Sequence, residues 1–216
     1  VVPVIAKRLM PVALAAVVVA ACSSSPEVTP TPPTPASSPA AAANDLENYY
    51  NQQVKWVDCA GAECTHITVP LDYQDPNGPT IQVSATRIPA TGEAIGTLFV
   101  NPGGPGASAT QYARYADSIV GSAVREHFDV VGVDPRGVGT SETVKCLTDE
   151  QTDALLAADG TPDSRDEEQQ VLDVAQAVGT ACDEKESAML GHVGTVDSAR
   201  DLDIARAVVG DDSLTY

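Results

Sequence analysis

Two glycine-rich runs, each closing a short apolar stretch, are where this sequence could do chemistry. The first is Asn101, Pro102, Gly103, Gly104, Pro105 and Gly106, directly after Gly96 to Val100. Backbone with almost no side chains presents N–H groups, and such donors hold a developing oxyanion well because they are fixed before reaction. Gly103 and Gly104 leave a carbonyl oxygen room to approach the main chain, and Pro105 removes a competing donor. The same run also suits a plain tight turn from strand to helix. The second run is Pro135, Arg136, Gly137, Val138, Gly139, Thr140 and Ser141, after Phe128 to Asp134. Asp134 and Arg136 set a carboxylate and a guanidinium at the carboxyl end of a strand, where sites gather in open parallel sheets. Their expected role is structural, with Arg136 ion-paired and holding the loop beneath the oxyanion site.

The elements that must position these runs follow from periodicity. Thr65 to Asp72 and Thr80 to Ile88 read as strands, the second alternating Ile81, Val83 and Ala85 with Gln82, Ser84 and Thr86; alternation of this kind fits an antiparallel hairpin with one wet face. Asp75, Pro76, Asn77, Gly78 and Pro79 mark the turn. Gly96 to Val100 and Phe128 to Asp134 are continuous apolar runs, which with a helix over Thr110 to Arg125 between them predict a right-handed β-α-β unit. Helices are expected at Asp149 to Ala158, Asp163 to Lys185 and Thr195 to Val209. The last has Thr195 as N-cap, Gly210 as stop and a packing stripe of Ala199, Leu202, Ala205 and Val209. Ser213 to Tyr216 begins another strand.

Composition narrows the function. The formal charge is −18, and 16 of the 30 acidic residues lie between Glu142 and Asp203. Phosphate binding needs the opposite sign, so nucleic acid is not an expected partner; a solubilising surface accounts for the acidity. Cys59 and Cys64 enclose a span that a small turn can close. Cys182 shares a helical stripe with Val171, Ala175 and Val178, which predicts a buried face and makes Cys146 its partner. No C-x2-C and no suitably spaced Cys/His set is present, so neither a metal nor another cofactor is expected. His66, His127 and His192 read as surface or structural residues, and Ser108 and Ser141 lack the context of a nucleophile, no G-x-S-x-G occurring in the sequence.

Lys7 and Arg8 precede an uncharged stretch from Leu9 to Ala21, short for a membrane span. It ends in Val19, Ala20, Ala21 and Cys22, which resembles a bacterial lipobox and implies diacylation of Cys22. An ordinary signal peptide or membrane anchor in which Cys22 is incidental is the alternative. Residues 23–43, almost wholly Ser, Pro, Thr and Ala, cannot bury a core and are expected to form a disordered tether. The domain division is therefore 1–22 lipoprotein signal, 23–43 tether and 44–216 globular. About 170 globular residues are few for a complete domain of the fold considered next.

Asn101 to Ser108 after one strand, Phe128 to Ser141 after the next, and Leu202 to Tyr216 together resemble the actinobacterial secreted hydrolases of the prolyl/tripeptidyl aminopeptidase family. Trp56, Cys59, Cys64 and Val69 to Tyr73 fit the same pattern. The resemblance implies an α/β-hydrolase fold, here its front portion: a mixed, mostly parallel sheet with flanking helices. It also implies that the strand at Leu214 runs on into the nucleophile elbow, so that the Ser, Asp and His of the triad lie past Tyr216 and this chain alone is inactive. Gly104, with Gly103 second, would supply one oxyanion N–H. Asn101 stands where prolyl iminopeptidase relatives have His, and Ala109 where many relatives have Gly. The function implied is an envelope serine exopeptidase, lipid-anchored to the cell membrane through Cys22, taking peptide substrates. An esterase or lipase of the same fold taking ester substrates, and a non-catalytic binding lipoprotein, are the rivals.

Overall fold

A computed structural model describes residues 45–216. The export segment, Cys22 and the tether lie outside the described residues.

A short helix α1 (Glu47–Tyr50) leads to a two-residue strand β1 (Val57–Asp58), neither of which the sequence pattern announces. Strands β2 (Glu63–Pro70) and β3 (Thr80–Ile88) form the expected antiparallel hairpin, with Ile67 opposite Val83 and Val69 opposite Ile81. Those four side chains sit at the centre of the core. Strands β4 (Gly96–Val100) and β5 (Phe128–Val133) pair in parallel, and β5 also lies antiparallel to β3. The sheet order is β1-β2-β3-β5-β4, so the chain between β4 and β5 crosses over the sheet. On the free side of β4, Leu98 bridges Thr215 in parallel and the Phe99 N–H donates to the Thr215 carbonyl at 2.8 Å.

The crossover is not one helix from Thr110 to Arg125. It is three short ones: α2 (Ala109–Ala113), α3 (Ala116–Ile119) and α4 (Ser122–His127). The backbone leaves helical geometry at Tyr115 and is extended at Val120 and Gly121, where a β-branched residue beside glycine gives a helix little support. Helix α2 presses hard on the sheet: a Cβ on Gly132 would lie 1.9 Å from the Ala109 carbonyl oxygen.

Between β5 and the last helix the chain makes an acidic excursion, α5 (Asp149–Ala157) and α6 (Arg165–Leu190). Each helix opens with a reciprocal capping box, Thr148 with Gln151 and Ser164 with Glu167, satisfying two end donors apiece. Helix α6 overruns the expected Lys185 terminus because the break at Glu186 is only local; its carboxylate accepts from the Lys145 N–H at 3.0 Å. Disulfides join Cys59 to Cys64 and Cys146 to Cys182. The stripe carrying Cys182 is not a buried face, however. Val171 is 39 % exposed and Ala175 is open to solvent, because α6 packs alongside α5 rather than on the sheet.

Helix α7 (Thr195–Val209) closes the sheet and ends at Gly210, whose φ of 91° is left-handed and costs glycine little. Thr195 is its first helical residue, not its cap; Gly194 holds the cap position without a side-chain bond. The buried face is also rotated from the expected stripe. Asp201, Ile204 and Ala205 point inward while Ala199 is exposed, because Asp201 has a partner in the interior.

Candidate active site

At the carboxyl ends of β4 and β5 a crevice of about 210 Å³ opens, bordered by Asn101, Asp134, Pro135, Ser198, Asp201 and Tyr216. Both glycine-rich runs leave the sheet here, the place where open sheets with parallel strands hold ligands.

Asp134 is fully buried and saturated with donors. Oδ1 accepts from Ser108 Oγ and from the Thr110 N–H, both at 2.9 Å; Oδ2 accepts from Thr110 Oγ1 at 3.0 Å, the Thr140 N–H at 2.9 Å and Thr140 Oγ1 at 3.2 Å. Burial pushes its pKa upward, but these donations outweigh burial and hold the carboxyl below the usual carboxylate range. Gly139 makes room for it: a Cβ there would sit 2.1 Å from Oδ2. The Asp134 carbonyl accepts from Ser141 Oγ at 2.6 Å, and Ser141 Oγ accepts from the Ser84 N–H at 2.9 Å.

Arg136 is buried beside it with a different set of partners. Nε and Nη2 reach the two oxygens of Asp201 at 2.7 and 2.6 Å, while Nη1 and Nη2 donate to the carbonyls of Leu71, His192 and Pro70. Its guanidinium stands 5.3 Å from the Tyr73 ring centre, and the Tyr73 hydroxyl donates to Asp201 at 2.7 Å. Burial, reinforced by the neighbouring Asp201 charge, raises the Tyr73 pKa and keeps that hydroxyl protonated. Arg136 is ion-paired and ties the turn after β5 to the end of β2 and to helix α7; the contacts to the end of the Asn101 loop come from Asp134. No sequence signal marked Asp201 or Tyr73 as its partners, since they meet it only through the fold.

The glycine loop holds left-handed backbone at Gly103 (φ 81°), Gly104 (φ 128°) and Gly106 (φ 97°). The two donor candidates differ. The Gly103 N–H is engaged by Asn101 Oδ1 at 2.8 Å, whereas the Gly104 N–H has no partner among the described residues. Ser108 caps α2, accepting from the Gln111 N–H, and Ser141 is buried; no histidine side chain bonds either serine among the described residues. Among the described residues no His, Cys, Asp and Glu side chains group as a metal would need.

The chain is 40 % identical over 186 residues to the serine protease Hip1 of Mycobacterium tuberculosis, covering 81 % of this chain and 36 % of that protein. It is 36 % identical over 175 residues to tripeptidyl aminopeptidase of Streptomyces lividans, covering 76 % and 33 %. It is homologous to the tripeptidyl aminopeptidase-like hydrolases of actinobacteria. Carboxylesterase B of Mycobacterium tuberculosis, 36 % identical over 198 residues and covered to 37 % of its length, is a further relative. The chain thus spans about a third of the length of these curated relatives. No protein-family model matches it.

Proposed function

We propose that this chain is the front portion of a serine hydrolase of α/β-hydrolase fold, and that it supplies the oxyanion side of the active site. The observation that carries the reading is the Gly104 N–H, without a partner among the described residues, in a glycine loop at the end of a parallel strand. The strand order supports it: one antiparallel strand, β3, sits between β2 and the β5-β4 pair, and Thr215 bridges the free side of β4 in parallel. On this reading the nucleophile follows Tyr216, its attack on a carbonyl gives a tetrahedral oxyanion, and Gly104 holds it together with the N–H after that serine. The 216 residues alone turn over no substrate.

The reaction proposed is release of short peptides from free N-termini, in keeping with relatives named as protease and tripeptidyl aminopeptidase. Ester cleavage is the second reading, favoured by the carboxylesterase relative, because one triad serves both bonds. We place the enzyme outside the cytoplasm on a lipid anchor at Cys22. The product of the complete open reading frame, assayed on a tripeptide amide beside an acyl ester, tests the substrate; a faster ester reaction reverses the choice. Cys22→Ala should move the protein to the soluble fraction, and retention in the membrane with unchanged mass refutes the anchor.

A further inference from the structure

We infer that Asp134 is the positioning residue of this site, the group that aims the Gly104 N–H although it touches no substrate; the inference rests on the oxyanion reading above. Little within the glycine loop fixes it. Among the described residues its internal bonds are two, the Gly103 N–H donating to Asn101 Oδ1 and the Ala107 N–H donating to the Gly103 carbonyl at 3.4 Å, and neither takes the Gly104 N–H. The direction of the Gly104 N–H therefore depends on the two ends of the loop as well. One end is the last residue of β4, where Val100 lies opposite Gly132 in the ladder. The other end is Ser108 and Thr110, which together give Asp134 three of its five bonds.

The remaining two bonds come from Thr140, in the second loop. One carboxylate thus joins both glycine runs, and α2 cannot slide beneath it because Ala109 already bears on Gly132. Only an ionised carboxylate fits. All five groups are donors in this arrangement, and a carboxylate offers two acceptor oxygens without a hydrogen. Asparagine at this position has nearly the same shape but turns an NH2 toward the donors of one oxygen. The depressed pKa of Asp134 agrees with that requirement and follows from the same bonds.

The test uses the product of the complete open reading frame with a tripeptide amide. Asp134→Asn should lower kcat about 100-fold, the scale of a small misplacement at the reacting atoms, with KM changed less than about threefold. Val83→Ala, a core truncation in β3 away from the crevice, gives a comparison of lowered Tm, and should keep kcat within about threefold. Should Asp134→Asn fail to fold, Thr140→Val removes one donor while leaving the carboxylate, and should lower kcat about fivefold with little change in KM. If kcat follows Tm equally in the Asp134 or Thr140 variant and in Val83→Ala, Asp134 is merely structural and the inference is overturned. Gly104→Val separates the two levels. Loss of turnover in Gly104→Val with full kcat in Asp134→Asn overturns the inference alone, whereas full kcat in both removes the oxyanion reading and the inference with it.

Discussion

Arg136 and Asp201, 65 residues apart in sequence, meet through two parallel hydrogen bonds of 2.6 and 2.7 Å with both side chains sealed from solvent. Removing such charges from water is costly, and the pair holds only because every remaining guanidinium donor finds a carbonyl and Tyr73 completes the carboxylate. The arrangement locks three separate pieces together: the end of β2, the turn after β5 and helix α7.

Asp201→Ala should therefore destabilise the protein by about 3–5 kcal/mol, since it strands a buried guanidinium. Urea unfolding measures this as a lowered midpoint. The double variant Arg136→Met/Asp201→Leu should lose less than the single one, because no unpaired charge remains. A single-variant loss below about 1 kcal/mol contradicts the account.

Acid unfolding should report on Asp134. Its folded pKa lies below the unfolded value of about 3.9, so its carboxylate contributes stability above that pH and the contribution is lost as pH falls through the folded value. Asp134→Asn, besides being less stable at neutral pH, should show a shallower fall of stability below about pH 4. An acid limb unchanged by the substitution would mean that the carboxylate is not held ionised by its donors.

Two glycines should respond oppositely to alanine. Gly132→Ala places a Cβ 1.9 Å from the Ala109 carbonyl oxygen, backbone that must move, and should cost at least about 1–3 kcal/mol. Gly179 lies inside α6 with nothing within 4 Å of an added Cβ. Gly179→Ala should raise stability by about 0.5–1 kcal/mol. Calorimetric or urea unfolding of the two variants gives the signs directly.

The strands were legible in the sequence because burial on a sheet writes itself as alternation or as an unbroken apolar run, and both patterns were present at 80–88 and 96–100. The crossover was harder. Residues 110–125 carry helix-forming side chains; Tyr115 marks no stop by its type, and the break at Val120 and Gly121 is written only as a β-branched residue beside glycine. The stripe through Val171 and Cys182 showed an amphipathic period without saying what the face would meet; here that neighbour is α5. At the site, Asp134 and Arg136 stood out as charges at a strand end. Their division of labour did not, because Ser108, Thr140 and Asp201 become neighbours only when distant segments converge.

The disulfide between Cys146 and Cys182 spans the exposed turn at 158–163, the connection between the two acidic helices. A protease cutting that turn would leave two pieces still tied covalently on either side of the nick. The clipped molecule would run as an intact chain on a gel until thiol is added, and only then separate. A loop that is open to attack is in this way made harmless to cut.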